Sequence, residues 1–83
     1  MIYSVEWDKK PLNFLNSLQK EIIKRILKKL DDVKEDPFRY LEHYEGEYYK
    51  LRIGDYRLLI DVDFESKILT IQVLDKRGRI YKR

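Results

Sequence analysis

At 83 residues the chain has room for one domain, spanning 1–83, with one small core that buries only about 60–65% of the surface an unfolded chain exposes. It has no cysteine and no apolar run longer than three residues (Leu58-Leu59-Ile60), which excludes disulfides, thiolate chemistry, signal peptides and membrane spans and leads us to expect a cytoplasmic protein. The net charge of +3 divides unevenly, since residues 1–49 hold nine Lys/Arg against ten Asp/Glu while residues 50–83 hold nine against five, so the C-terminal half suits a polyanionic partner, most often a nucleic acid.

In chain order, Ile2 to Trp7 alternates, with Tyr3, Val5 and Trp7 on one face, and predicts a half-buried strand. Asp8 then caps a short helix that tolerates Pro11 in its first turn and turns Leu12, Leu15 and Leu18 toward the core. A longer helix follows over roughly residues 18–34, where Leu18, Ile22, Ile23, Ile26, Leu27, Leu30 and Val33 keep 3–4 spacing and Lys20, Lys24, Lys28 and Asp31 face solvent. Pro37 ends it. Residues 36–47 form an acidic, Tyr-rich stretch with no clear period.

From Tyr48 the period becomes two. Tyr48–Ile53 and Tyr56–Val62 read as strands joined by Gly54-Asp55, a two-residue hairpin with Gly first. Lys67–Leu74 is a further strand, reached through the polar turn Glu65-Ser66, and Gly78 precedes a last short strand at Arg79–Lys82. The order β-α-α-β-β-β-β predicts an α+β domain, two N-terminal helices packed on a twisted, mainly antiparallel sheet.

A two-residue hairpin places Ile53 opposite Tyr56, Arg52 opposite Arg57 and Lys50 opposite Leu59. Lys50, Arg52 and Arg57 then share one face, while Tyr49, Leu51, Tyr56, Leu58 and Ile60 share the other. Like charges directly across two strands destabilise by some tenths of a kcal/mol. With only Asp61 near enough on that face to compensate, the pattern fits an anion site; the competing reading is an ordinary solvated sheet face. Asp75-Lys76-Arg77-Gly78-Arg79-Ile80-Tyr81-Lys82-Arg83 interleaves cations with an aromatic ring, offering phosphate contacts and a base-stacking surface suited to single-stranded RNA, with Lys76, Arg79, Lys82 and Arg83 as RNA-binding candidates.

Other chemistries lack their residues. The lone His43 reads as a surface residue, and the three glycines are too far apart for a phosphate-cradling loop. Asp61, Asp63 and Glu65 read as a solvated edge rather than a metal site, and no metal or cofactor is expected. Ser4, Ser17 and Ser66 lack a base partner, and Ser17 reads as a helix cap. An enzyme built from this chain would work through Lys, Arg and Tyr. Such a site can cleave RNA: the 2′-hydroxyl attacks the adjacent phosphorus, guanidinium groups stabilise the charge that builds on its oxygens, and Lys50 or Tyr81 could serve as base. Weak acid–base groups leave much of the rate to positioning, which suggests a substrate held by something larger than this protein.

The run Tyr48-Tyr49-Lys50-Leu51-Arg52-Ile53-Gly54-Asp55-Tyr56-Arg57-Leu58-Leu59-Ile60, followed by Val73-Leu74-Asp75-Lys76-Arg77-Gly78-Arg79-Ile80-Tyr81, resembles the RelE branch of the RelE/ParE toxin superfamily. The resemblance covers nearly the whole chain and is most specific in Arg-Ile-Gly-Asp-Tyr-Arg and Lys-Arg-Gly-Arg-Ile-Tyr. It implies a toxin of a type II toxin–antitoxin system that cuts mRNA in the ribosomal A site, leaves a 2′,3′-cyclic phosphate, stops translation and is neutralised by a RelB-type antitoxin. By the same resemblance the catalytic set is Lys50, Arg52, Arg57, Arg77 and Tyr81, with Arg57 on the phosphate, Arg77 as the second catalytic arginine and Tyr81 stacking or assisting proton transfer. Arg52 departs from the pattern, which has lysine there, and arginine supplies electrostatics without releasing a proton. Two other readings stay open: a gyrase-poisoning toxin of the ParE branch, and a non-catalytic module that binds RNA or the ribosome.

Overall fold

Alternation and helical spacing direct the same apolar residues to one layer between helices and sheet. The computed structural model describes residues 2–76. Strand β1 (Ser4–Trp7) leads into α1 (Lys9–Asn16) and α2 (Lys20–Glu35), then a single helical turn α3 (Pro37–Tyr40), and then β2 (Glu42–Glu45), β3 (Tyr48–Ile53), β4 (Tyr56–Asp63) and β5 (Ile68–Lys76). The sheet order is β1-β5-β4-β3-β2; only the β1–β5 pair is parallel. This is the α+β, mainly antiparallel arrangement expected from the sequence, with two elements added in the acidic stretch: α3 and the edge strand β2. The strand expected at Arg79–Lys82 lies outside the described residues.

The core is built where the two periods meet. Leu51, Ile53, Leu58, Ile60, Val62, Leu69, Ile71 and Leu74 from the sheet pack with Leu15, Ile26, Leu30 and Val33 from α1 and α2. Each fully buried large aliphatic contributes about 1.5–3 kcal/mol relative to exposure. Two expected core residues point elsewhere: Leu12 is 38% exposed and Leu27 43%, because the buried stripe of each helix is narrower than its apolar spacing allows. Leu18 falls in the break between the helices and is half-buried against the core.

Local chemistry sets the boundaries. Asp8 stands at the start of α1 but makes no side-chain capping bond. Ser17 closes the end of α1 instead of opening α2, its Oγ donating to the Phe14 carbonyl at 2.6 Å. The Tyr3 amide donates to the Lys34 carbonyl at 2.8 Å and ties the start of the sheet to the last turn of α2. Gly54 has φ +59, which suits the first position of the tight hairpin. At the β4–β5 turn Asp63 Oδ1 accepts from the Glu65 and Ser66 amides, both at 3.1 Å. The Ser66 amide, first among these bonds, holds the Asp63 carboxyl below the ordinary aspartate range.

Two bulges shape the sheet near its basic face. Between Leu59↔Val73 and Ile60↔Ile71 strand β5 carries one extra residue, Gln72, so Ile71 and Leu74 both reach the core although three positions apart. Between His43↔Tyr49 and Glu45↔Tyr48 the extra residue is Tyr44.

Candidate functional site

The hairpin register is the expected one: Arg52 pairs with Arg57, Ile53 with Tyr56 and Lys50 with Leu59. Strand alternation therefore turns Lys50, Arg52 and Arg57 away from the core. Strand β2 pairs with β3 only as far as Lys50, so residues 51–53 form an open edge among the described residues. At this edge a cavity of about 590 Å³ is lined by Lys29 of α2, Arg39 and Tyr40 of α3, Glu42 of β2, Lys50, Leu51 and Arg52 of β3 and Arg57 of β4. Five cations thus surround one carboxylate and one phenol. A second recess of about 310 Å³, lined by Arg25, Lys28, Lys29, Asp32, Arg52, Ile53 and Gly54, carries the cationic surface onto α2.

Each cation is placed differently. Arg57 is 8% exposed, at the wall of the cavity, while Arg52 is exposed. The Lys50 ammonium stands 5.7 Å from the centre of the Tyr44 ring, and the Lys29 ammonium 4.6 Å from that of Tyr40. Both are cation–π contacts that hold the lysine heads beside the cavity. The compensating acid is not Asp61, which is registered with Tyr48 and Thr70 farther along β4. Asp75 stands directly across from Arg57, and Glu42 directly across from Lys50. A buried guanidinium needs a counter-charge nearby, and the β4–β5 register supplies a carboxylate there.

The structure thus brings Lys50, Arg52 and Arg57 together. Lys76 is not with them: it is registered with Tyr56, so it belongs to the opposite face at the exposed end of β5. Arg77, Arg79, Tyr81, Lys82 and Arg83 lie outside the described residues. His43 is exposed as expected, its Nε2 2.8 Å from the Gly46 carbonyl oxygen, although within a strand rather than a loop. Sequence reasoning misses Lys29, Arg39, Tyr40 and Glu42. The available signal was their position either side of Pro37, where a chain reversal must return the end of α2 toward the hairpin.

A ring of cations at an open sheet edge has the chemistry to bind an anion such as a phosphodiester and to stabilise charge developing on it. Among known proteins, the sequence model of a family described as "ParE toxin of type II toxin-antitoxin system, parDE" matches residues 5–81. No curated protein matches by sequence. Among solved structures, the fold is similar to one in the archaeal RelE–RelB complex of Pyrococcus horikoshii, with 30% identity, TM-score 0.79, and coverage of 95% of this chain and 99% of that one. It is similar to one in the RelBE2 toxin–antitoxin complex of Mycobacterium tuberculosis, with 23% identity, TM-score 0.83, and coverage of 93% and 100%. It is also similar to a double arginine-to-alanine mutant of the E. coli toxin RelE in the free state, with 23% identity, TM-score 0.81, and coverage of 95% and 87%.

Proposed function

Since the chain belongs to the RelE branch of the RelE/ParE superfamily of type II toxin–antitoxin toxins, we propose that it is a ribosome-dependent, metal-independent endoribonuclease that cuts mRNA in the ribosomal A site. In this reading residues 1–83 act as one cytoplasmic toxin domain, with mRNA on the ribosome as substrate and a RelB-type antitoxin as the neutralising partner. The observation that carries it is the convergence of Lys50, Arg52 and Arg57 with Lys29 and Arg39 on one open cavity.

The chemistry follows from those groups. The 2′-oxygen attacks the neighbouring phosphorus, the bond to the 5′-oxygen breaks, and a 2′,3′-cyclic phosphate and a 5′-hydroxyl result. Arg57, fixed by burial, presents its fork-shaped donors to the phosphoryl oxygens as they gain charge, and Arg52 adds a second guanidinium from across the strand pair. Lys50, Lys29 and Arg39 hold the flanking phosphates. Arg77 and Tyr81 complete the set as second catalytic arginine and stacking or proton-transfer residue. The ribosome holds the mRNA in position, supplying the orientation that so small a site lacks. The relatives solved with RelB support antitoxin binding here, and a cationic face on a small domain suits an acidic segment that folds on binding.

The test is primer extension on mRNA bound in the A site of matched ribosomes, with wild type, Arg57→Ala and Arg77→Ala, each with and without a transition-metal chelator that spares the magnesium the ribosome needs. Cuts that need ribosomes, survive chelation and vanish in both variants are expected. Uncut mRNA with every protein would overturn the reading. The ParE name of the matching family favours a second reading, a gyrase-poisoning toxin, which predicts DNA-damage signalling on expression with mRNA intact. A non-catalytic module predicts ribosome or RNA binding alone, with a log–log salt slope of about −0.7 for each phosphate contacted on a single strand.

A further inference from the structure

Glu42 reads from the sequence as one acid in an irregular acidic stretch. Folded, it opens β2, stands across from Lys50, and is the one carboxylate among the described residues lining the cationic cavity. It is exposed, and its carboxylate has no hydrogen bond or ion pair among the described residues. Its register partner Lys50 points its ammonium over the Tyr44 ring. None of the described cations closes an ion pair with this acid, so a structural ion pair among them does not explain its place in the cavity. It is well placed to face a substrate whose phosphate satisfies those cations.

We propose that Glu42 is the general base that takes the 2′-hydroxyl proton in the RNA cleavage proposed above, a reading on which this inference rests. The other lining groups are poorer acceptors. Arg39, Arg52 and Arg57 do not release protons, and Lys29 and Lys50 are engaged through their ammonium groups with the rings of Tyr40 and Tyr44. A carboxylate is a base at neutral pH without assistance. The charged and titratable groups that line the cavity with it are Lys50 and Arg52 from β3, Arg57 from β4, Lys29 from α2 and Arg39 and Tyr40 from α3; on its own strand Tyr44 lies under the Lys50 ammonium and His43 is set against the Tyr49 ring. Two strand spacings and two residues of rise put the Cα atoms of Glu42 and Arg57 about 12 Å apart. A nucleotide fits between their side chains, its phosphate on the arginine and its ribose toward the glutamate. Glu42 takes the 2′-proton as the 2′-oxygen bonds to phosphorus and the phosphorus–5′-oxygen bond breaks. The departing 5′-oxygen takes a proton from water, and the hydroxide left behind takes the one held by Glu42, so the protein ends unchanged.

The experiment is single-turnover cleavage of A-site mRNA over roughly pH 6 to 8.5 with wild type, Glu42→Gln, Glu42→Asp and Tyr81→Phe, with ribosome affinity and melting midpoint measured beside it. Wild type should be nearly flat. Glu42→Gln should cut about 10²- to 10⁴-fold more slowly and gain roughly tenfold per pH unit as hydroxide replaces the lost base, with affinity and midpoint changed far less than the rate. Glu42→Asp should keep the flat profile at a reduced rate. Wild-type rates in Glu42→Gln, a slowed but still flat profile, or loss of the plateau in Tyr81→Phe instead would each overturn the assignment. A wild-type protein that leaves RNA uncut overturns the ribonuclease reading itself, and the base assignment with it.

Discussion

Replacing Arg52 by Gln should make the protein melt higher and work worse. Arg52 and Arg57 face each other across β3 and β4 on the cavity side. Two unit charges about 6 Å apart repel by about 0.7 kcal/mol even at the dielectric of water, within the roughly 0.2–1 kcal/mol range for directly opposed charges on paired strands. Asp75, across from Arg57 on its other side, offsets part of this, and about 0.5 kcal/mol is a fair expectation for the gain. For a domain of this size that is a rise of about 2–4 °C in Tm. Arg52 is exposed, so the substitution leaves no cavity. Salt provides the internal control, because in 1 M NaCl the screening length falls to about 3 Å and the difference between variant and wild type should close. Calorimetry at low and high NaCl reads both quantities, and the salt slope for single-stranded RNA should shrink by about 0.7 with the lost phosphate contact. An Arg52→Gln protein that melts at or below wild type in low salt, or a difference indifferent to NaCl, would refute the claim that this pair is electrostatically frustrated.

Gly54→Ala should cost about 1–2 kcal/mol, since φ +59 is unfavourable for a side chain, and should push the Arg25 guanidinium that would lie 3.1 Å from the new methyl; the urea midpoint reads the first effect. Ile60→Ala, in the fully buried centre of β4, should cost about 2–5 kcal/mol by equilibrium unfolding and leave the charge of the cavity unchanged. Asp63, whose folded-state pKa is lowered by the Ser66 amide, contributes stability above its unfolded pKa that is lost as pH falls through the folded value. The stability difference between wild type and Asp63→Asn should therefore shrink on acidification, and a difference that grew as pH fell would reverse the assigned sign.

What could be read from the sequence depended on whether a residue's neighbours were set locally. The β3–β4 pair was legible because period-two alternation and Gly54-Asp55 fix both faces and register, and α2 because its apolar spacing runs without a gap. Strand β2 is exposed at all four positions, so it has no alternation to read; it is a strand because the edge of β3 offers backbone partners. Its assignment as irregular made Glu42 a loop acid and hid its position beside Lys50. Asp75 was missed for a related reason: one extra residue, Gln72, resets the β4–β5 register, and nothing local announces that bulge. Lys29 is one of several lysines on α2, distinguished only by its nearness to the open end of β3.

The strand pair that builds the cavity also builds the core, and strand alternation decides which side chain serves which. Leu51, Ile53, Leu58 and Ile60 belong to the buried layer, while Lys50, Arg52 and Arg57 belong to the cavity. Arg57 is not a clean member of the second group, because it is largely buried with Asp75 across from it. Truncating it removes a transition-state donor and leaves a poorly compensated carboxylate, so Arg57→Ala changes catalysis and stability together. Arg57→Lys keeps the charge but loses the fork of donors. Arg52 separates the two effects. A residue retained for packing lowers both stability and activity when removed, and one retained by chance changes neither. A residue kept for its charge toward a substrate, against the preference of the fold, gives opposite signs: the variant is more stable and less active. Arg52 has the geometry for that signature, because the residue directly across from it is another arginine.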